Sequence, residues 1–320
     1  MTKQRGLSDK FIKDLKCGIL KPILDVVKID DSLCLEIRDN YINIYYRGGS
    51  LYKIEPINDR YKFTFNVNYL KTKKNKSNTN KLDCMKNQIN SKIEDFSKKV
   101  RYEELINLTY ELKREMDLWF YENHKNEREC QQIVLRENNN SSISQYTDYY
   151  IVDIEYADNM NSSRFDLIAV KYDTSSPDME KPYDLNLVII EMKYGDKSLC
   201  GSSGILEHFK QIESFINMEN RLNSLYDEVE IILNQKIELD LIRGIKKTLK
   251  FNRSIKPEYI ILIVNHNPKS TILKRELKNA MNIATDIKKD IDIKVATVSN
   301  LGYSLYSDNM IDIDNYLKRV

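Results

Sequence analysis

The chain has 320 residues, 41% of them hydrophobic and 31% charged, which is apolar material for one large or two ordinary globular domains that fold without crosslinks. Its five cysteines, Cys17, Cys34, Cys84, Cys130 and Cys200, form no CxxC or Cys/His pattern, so neither a disulfide framework nor a structural zinc site is supported. The N-terminal MTKQRGLSDKFIKDL lacks the continuous apolar stretch of a signal peptide and no run reaches bilayer length, so the expectation is a cytoplasmic protein with no membrane partner.

Charge is distributed unevenly. Residues 1–102 hold 22 Lys and Arg against 12 Asp and Glu, whereas residues 103–320 hold 28 against 36. This divides the chain into a basic N-terminal α+β domain, 1–102, suited to a polyanion, and an acidic domain, 103–320, suited to concentrating metal ions.

Taken in order, Phe11, Ile12, Leu15 and Ile19 recur at helical spacing and predict an amphipathic helix from Ser8 to Leu24. Alternating runs from Leu33, Tyr41, Leu51 and Tyr61, separated by Asp39-Asn40 and Gly48-Gly49, predict a small antiparallel sheet. The polar, basic stretch Lys71 to Lys81 reads as an exposed loop. A long helical region follows from Lys86 to Arg136, with Leu105, Leu108, Leu112, Met116, Trp119 and Phe120 on one face. Three strands come next: Tyr149 to Tyr156 and Phe165 to Tyr172 as a hairpin, then Leu185 to Met192, apolar on both faces and therefore central. Helices from Gly204 and Arg221, a strand at Tyr259, a helix from Lys269 and a strand at Ile293 complete an α/β arrangement, α+β overall, with one mixed sheet between helices.

Charged residues interrupt this apolar pattern at one place. Asp166 lies in the second of the three strands, and Glu191-Met192-Lys193 ends the third, 25 positions later. An uncompensated carboxylate at the end of a core strand costs several kcal/mol, so a cluster of them points to a cation. Two residues apart in a strand, Glu191 and Lys193 share a face, and Met192 takes the other. Asp166 and Glu191, with the Met192 backbone carbonyl and water, form the oxygen set that Mg²⁺ or Mn²⁺ accepts. The ion would polarise a phosphate and acidify a water, while Lys193 orients that water or stabilises charge on phosphorus.

This strand Asp followed by ExK resembles the PD-(D/E)xK, or restriction-endonuclease-like, nuclease superfamily, over about residues 103–265. The chain as a whole is similar to uncharacterised bacterial proteins of that superfamily. The resemblance implies an α-β-β-β-α-β core, a phosphodiester hydrolase that most often acts on DNA in restriction, repair, recombination or mobile-element defence, and two further site residues. Asn126-Glu-Arg-Glu-Cys-Gln-Gln looks like the first-helix acidic stretch, with Glu127 as the added acid and metal ligand and Glu129 as runner-up. Gln211 with Phe215 is similar to the helical QxxxY element, with Phe in place of Tyr. Phe165 stands where the motif often carries Pro.

Other candidates have bland readings beside them. Glu155, and less so Asp153, could add a metal oxygen or be solvent-facing acids. His124, His208 and His266 share no spacing and read as structural, His208 standing out because it sits one turn before Gln211. Gly201-Ser-Ser-Gly204 could offer N–H groups to phosphate but reads better as a helix cap. Arg47, Lys53, Lys71, Lys73, Lys74 and Lys76, with Tyr45 and Tyr46, are the candidate nucleic-acid contacts. The main expectation is a nuclease that cuts DNA, with a homodimer as an analogy from duplex-cutting enzymes. The alternative is a catalytically inactive nucleic-acid-binding or protein-interaction module of the same fold.

Overall fold

Ser8 accepts the Phe11 N–H and starts helix α1, Asp9–Cys17, which buries Phe11, Ile12 and Leu15. Gly18 ends it, and Pro22 in the first turn of α2, Lys21–Ile29, opens a second helix. The predicted Ser8 to Leu24 helix is thus two helices, broken where Gly and Pro interrupt the helical hydrogen-bond ladder. The computed structural model describes residues 5–76, 79–98, 101–140, 147–158, 163–171, 185–242, 248–298, 305 and 307–318. It separates into two units, Met1–Gln132 with Glu238–Leu241, and Ile133–Ile237 with Ile242–Val320.

In the first unit, β1 (Leu33–Ile37), β2 (Ile42–Tyr46), β3 (Gly49–Ile57) and β4 (Arg60–Thr64) pair in sequence order, all antiparallel. The tight turns place Asn40, Arg47, Gly48 and Asn58 at positive φ, as two-residue hairpin turns require. At Gly48 the φ is +70°, and a Cβ would lie 2.3 Å from the Arg128 carbonyl oxygen, so only glycine fits. Its N–H donates to Gln132 Oε1 over 2.6 Å, and Gln132 Nε2 donates in turn to the Ser32 carbonyl over 2.7 Å.

The stretch read as a basic loop holds a short helix, α3 (Lys73–Lys76), and the start of α4 (Thr79–Lys98). After α4 come α5 (Tyr102–Glu122) and α6 (Asn126–Asn139), so the long helical region is three helices. Leu105, Leu108, Leu112, Met116 and Phe120 of α5 are buried, each such side chain contributing about 1.5–3 kcal/mol. They pack within the first unit, and the two units divide inside α6, between Gln132 and Ile133.

The second unit carries a mixed six-stranded sheet in the order β10-β9-β8-β7-β6-β5. Strands β5 (Tyr149–Ala157), β6 (Arg164–Lys171) and β7 (Asn186–Tyr194) form an antiparallel meander. Strands β8 (Glu258–Val264) and β9 (Asp292–Val298) continue parallel to β7, and β10 (Ile311–Asp312) closes the sheet antiparallel to β9. Every residue of β8 and all but the last of β7 are buried, as expected of parallel strands covered on both faces. The connections carry α7 (Ile205–Asn217) and α8 (Arg221–Glu238) before β8, then α9 (Ile272–Ile287) before β9; α7 and α9 pack together, and α10 (Ile313–Lys318) follows β10. The chain is therefore mixed α+β, with one antiparallel and one mixed sheet. Among the described residues no helix is long and apolar enough to cross a membrane.

Candidate active site

The β6–β7 register runs Ile168 opposite Ile189 and Leu167 opposite Ile190. Just past the last pair of that ladder, Asp166 is the next residue of β6 and Glu191 the next of β7. Asp166 Oδ2 accepts the Met192 backbone N–H over 2.7 Å, which fixes its carboxylate against the end of β7. Glu191 and Lys193 are each only 3% exposed. Lys193 Nζ donates to Glu191 Oε1 over 2.7 Å, and His208 Nε2 lies 3.0 Å from the same oxygen. Charge buried this deeply persists because an opposite charge sits at hydrogen-bond distance.

Helix α7 delivers His208. Ile205, Phe209, Ile212 and Phe215 are its buried positions, so His208 falls on the flank of the apolar stripe while Gln211 lies about 60° further round. Gln211 is exposed, and the α7 side chain beside Glu191 is His208. Phe215, at the place of the expected tyrosine, is buried edge-on to Phe165 with centroids 5.0 Å apart. Phe209 is likewise edge-on to Tyr259 of β8 at 5.7 Å. Burial, then the negative charges of Glu191 and Asp166, push the Tyr259 phenol far above its ordinary value, so it stays protonated beside the two carboxylates. The signal for Tyr259 in the sequence is a single hydroxyl ahead of the apolar run Ile260 to Val264.

Strand β5 adds acidic residues on the other side of β6. Its pairs Ile154 with Leu167 and Tyr156 with Phe165 put Glu155 opposite Asp166. Glu155 has a φ of +51°, an uncommon conformation for a non-glycine strand residue and one that collects at functional positions. Asp153 is buried opposite Ile168, just after a register shift that leaves Val152 as the extra residue. Among the described residues, no group of three or more His, Cys, Asp and Glu side chains is gathered to hold a metal ion.

The other predicted positions are taken in turn. Glu127 is half-buried on the part of α6 that belongs to the first unit, whereas Asp166, Glu191 and Lys193 belong to the second. Glu129 is engaged by Arg47, whose Nη2 donates to both carboxylate oxygens at 3.1 and 2.9 Å, while Arg47 Nη1 reaches Asp117 at 2.9 Å. Lys53 pairs with Glu55 at 2.6 Å and lies over the Tyr41 ring. Tyr45 is buried, and Tyr46 donates to Asp117. Arg47, Lys53 and Tyr46 therefore already hold partners within the first unit. Lys71 and Lys73 are exposed, and the side chains of Lys74 and Lys76 lie outside the described set. Gly204 takes the N-cap position of α7. His266 Nδ1 lies 2.6 Å from Asp196 in the loop after β7, and His124 is exposed.

Compared with family models, with curated proteins and with solved structures, the chain finds no match.

Proposed function

We propose that this chain is a metal-dependent nuclease of the restriction-endonuclease-like type that hydrolyses phosphodiester bonds in DNA. The observation that carries the reading is the Asp166 carboxylate bound to the Met192 N–H at the end of β7, between Glu191 and Lys193, which pair with each other at 2.7 Å. The strand arrangement supports it too: an antiparallel meander whose second strand bears the Asp and whose third bears ExK, followed by a helix and a parallel strand.

Two hard carboxylates on neighbouring strands fit an ion that takes few protein ligands and keeps several waters, as Mg²⁺ does. Asp166 and Glu191 would hold it with the Met192 carbonyl. Bound there, the ion supplies Lewis-acid polarisation of a phosphate and acidification of water. The chain's own groups do the rest. Lys193 is the cation next to the carboxylates and serves to orient water or to balance charge developing on the phosphoryl oxygens. Met192 N–H holds the Asp166 carboxylate in place. His208 positions Glu191 through its ring edge at Oε1, and Tyr259, kept neutral, adds no charge beside the two carboxylates.

The test is incubation of purified protein with plasmid, linear duplex, single-stranded DNA and RNA in Mg²⁺ or Mn²⁺, with Asp166→Ala and Lys193→Ala proteins alongside. Cleavage by wild type, lost in both variants while nucleic-acid binding persists, is the expected result. Cleavage retained in both removes the assignment.

A further inference from the structure

Strands β7 and β8 are parallel and end side by side, and in open α/β sheets ligands are held in the crevice beyond the carboxyl ends of such strands. Two left-handed turns shape this end. Gly195, at φ +68°, donates its N–H to the Val264 carbonyl over 2.8 Å, and Asn265, at φ +58°, donates to the Val298 carbonyl over 2.9 Å. Just past these turns Asp196 and His266 meet. His266 Nδ1 is 2.6 Å from Asp196 Oδ1, and the Asn267 N–H donates to Asp196 Oδ2 over 3.1 Å. Both carboxylate oxygens are thus engaged, and the His266 and Asp196 side chains are only 10% and 14% exposed.

An ionised carboxylate only accepts, so Nδ1 carries a proton and Nε2 is the end of the ring that can exchange one. Among the described residues Nε2 has no partner, and it is not one of the buried polar atoms sealed from solvent. An imidazole fixed by a carboxylate at one nitrogen and open at the other is the arrangement that passes protons in hydrolytic sites. The dyad stands on the side of the sheet that carries Glu191 and Lys193: His208 of α7 reaches Glu191 there, α9 packs on α7, and the turn Asp196–Leu199 packs on α9. Lys193 pairs with Ile263 across the two strands. Asp196 and His266 are each three residues further on, at most about 11 Å of chain.

Cutting a phosphodiester expels a sugar oxygen, which leaves poorly as an alkoxide and well once protonated. We infer that His266, held by Asp196, is the general acid that protonates this leaving oxygen; the inference rests on the nuclease reading and adds to it the group that completes the cut. The water oxygen bonds to phosphorus, the bond from phosphorus to the sugar oxygen breaks with its electron pair staying on that oxygen, and the Nε2 proton moves to it. Asp196 balances the imidazolium until then. The proton released by the water passes to solvent, from which Nε2 is recharged.

The test uses the full chain, a DNA oligonucleotide cut by wild type in Mg²⁺, and the same oligonucleotide with sulfur in place of the leaving oxygen, since a thiolate departs without a proton. His266→Gln is expected to slow the oxygen substrate about 10²–10⁴-fold and to leave the sulfur rate about unchanged, with Asp196→Asn acting in the same direction. Cleavage of the sulfur substrate also shows that each variant is folded. In metal-free protein, ¹⁵N NMR of the histidine absent from the His266→Gln spectrum is expected to show the neutral ring protonated at Nδ1. Equal losses on both substrates in variants with the wild-type circular dichroism, no loss on either, or a neutral ring protonated at Nε2 overturns the dyad and leaves the nuclease reading standing. A wild type that cuts neither oligonucleotide removes the nuclease reading, and the dyad's role with it.

Discussion

Lys193 Nζ and Glu191 Oε1 are 2.7 Å apart on the same face of β7, and both residues are almost wholly buried. Removing one partner of such a pair strands the other charge, whereas replacing both with neutral groups of similar size removes the desolvation problem as well. Lys193→Ala in EDTA is therefore expected to lose about 3–5 kcal/mol of stability, and Glu191→Gln with Lys193→Met much less. Urea unfolding of the second unit reads the difference. Equal losses in the two proteins would show that the pair is not the buried unit described.

His208 and Gln211 separate the geometry from the motif. His208 Nε2 is 3.0 Å from Glu191 Oε1, while Gln211 is exposed. Groups that position a ligating carboxylate change metal affinity or activity by about 10–100-fold when removed. His208→Ala should raise the metal concentration needed for half-maximal cleavage on that scale, His208→Gln should recover part of it, and Gln211→Ala should leave the metal titration in place. A larger effect from Gln211→Ala would return the helix role to the motif position.

Much of this was legible beforehand because it rests on side-chain period. The run LNLVIIEMK has no polar face, so β7 had to be central, and Glu191 with Lys193 had to share a side. What sequence could not supply was partnership across long separations. Arg47 reads as a free cation beside tyrosines, yet Glu129, 82 positions on, takes its guanidinium. Asp166 could be placed on a strand, but its bond to the Met192 N–H depends on a register that only pairing fixes. A charge shift near residue 102 likewise carries no information about which contact unit receives the apolar face of α5.

Glu258, at the start of β8, predicts an acid limb of stability. It is 3% exposed and accepts from Tyr149, Lys171 and Lys294 at 2.9, 2.9 and 3.0 Å. Burial pulls its carboxyl up, but the hydrogen bond and charge of Lys171, then Lys294, outweigh it and hold the group below its ordinary 4.5. A folded value below the unfolded one means stability that is fully present above pH 4.5 and is lost as pH falls through the folded value. Thermal midpoints of wild type should fall more steeply below pH 4.5 than those of Glu258→Gln, which starts lower at neutral pH. Parallel curves for the two proteins would remove this network from the acid response.

The basic residues of the first unit divide into those holding the fold and those facing solvent. Arg47 bridges Glu129 and Asp117 and is one-third exposed, so its loss should cost stability, about 1–2 kcal/mol after allowing for solvent screening, and leave nucleic-acid affinity unchanged. Lys71 and Lys73 are exposed and free to neutralise phosphates without rearrangement of the unit. Each phosphate contact removed from duplex DNA lowers the slope of log K against log salt by about 0.9. Lys71→Glu with Lys73→Glu should therefore weaken duplex binding and reduce that slope by about two, with the thermal midpoint preserved. If Arg47→Ala instead reduced the slope and the double lysine change did not, the hairpin face would carry the contacts and its ion pairs would have to open on binding.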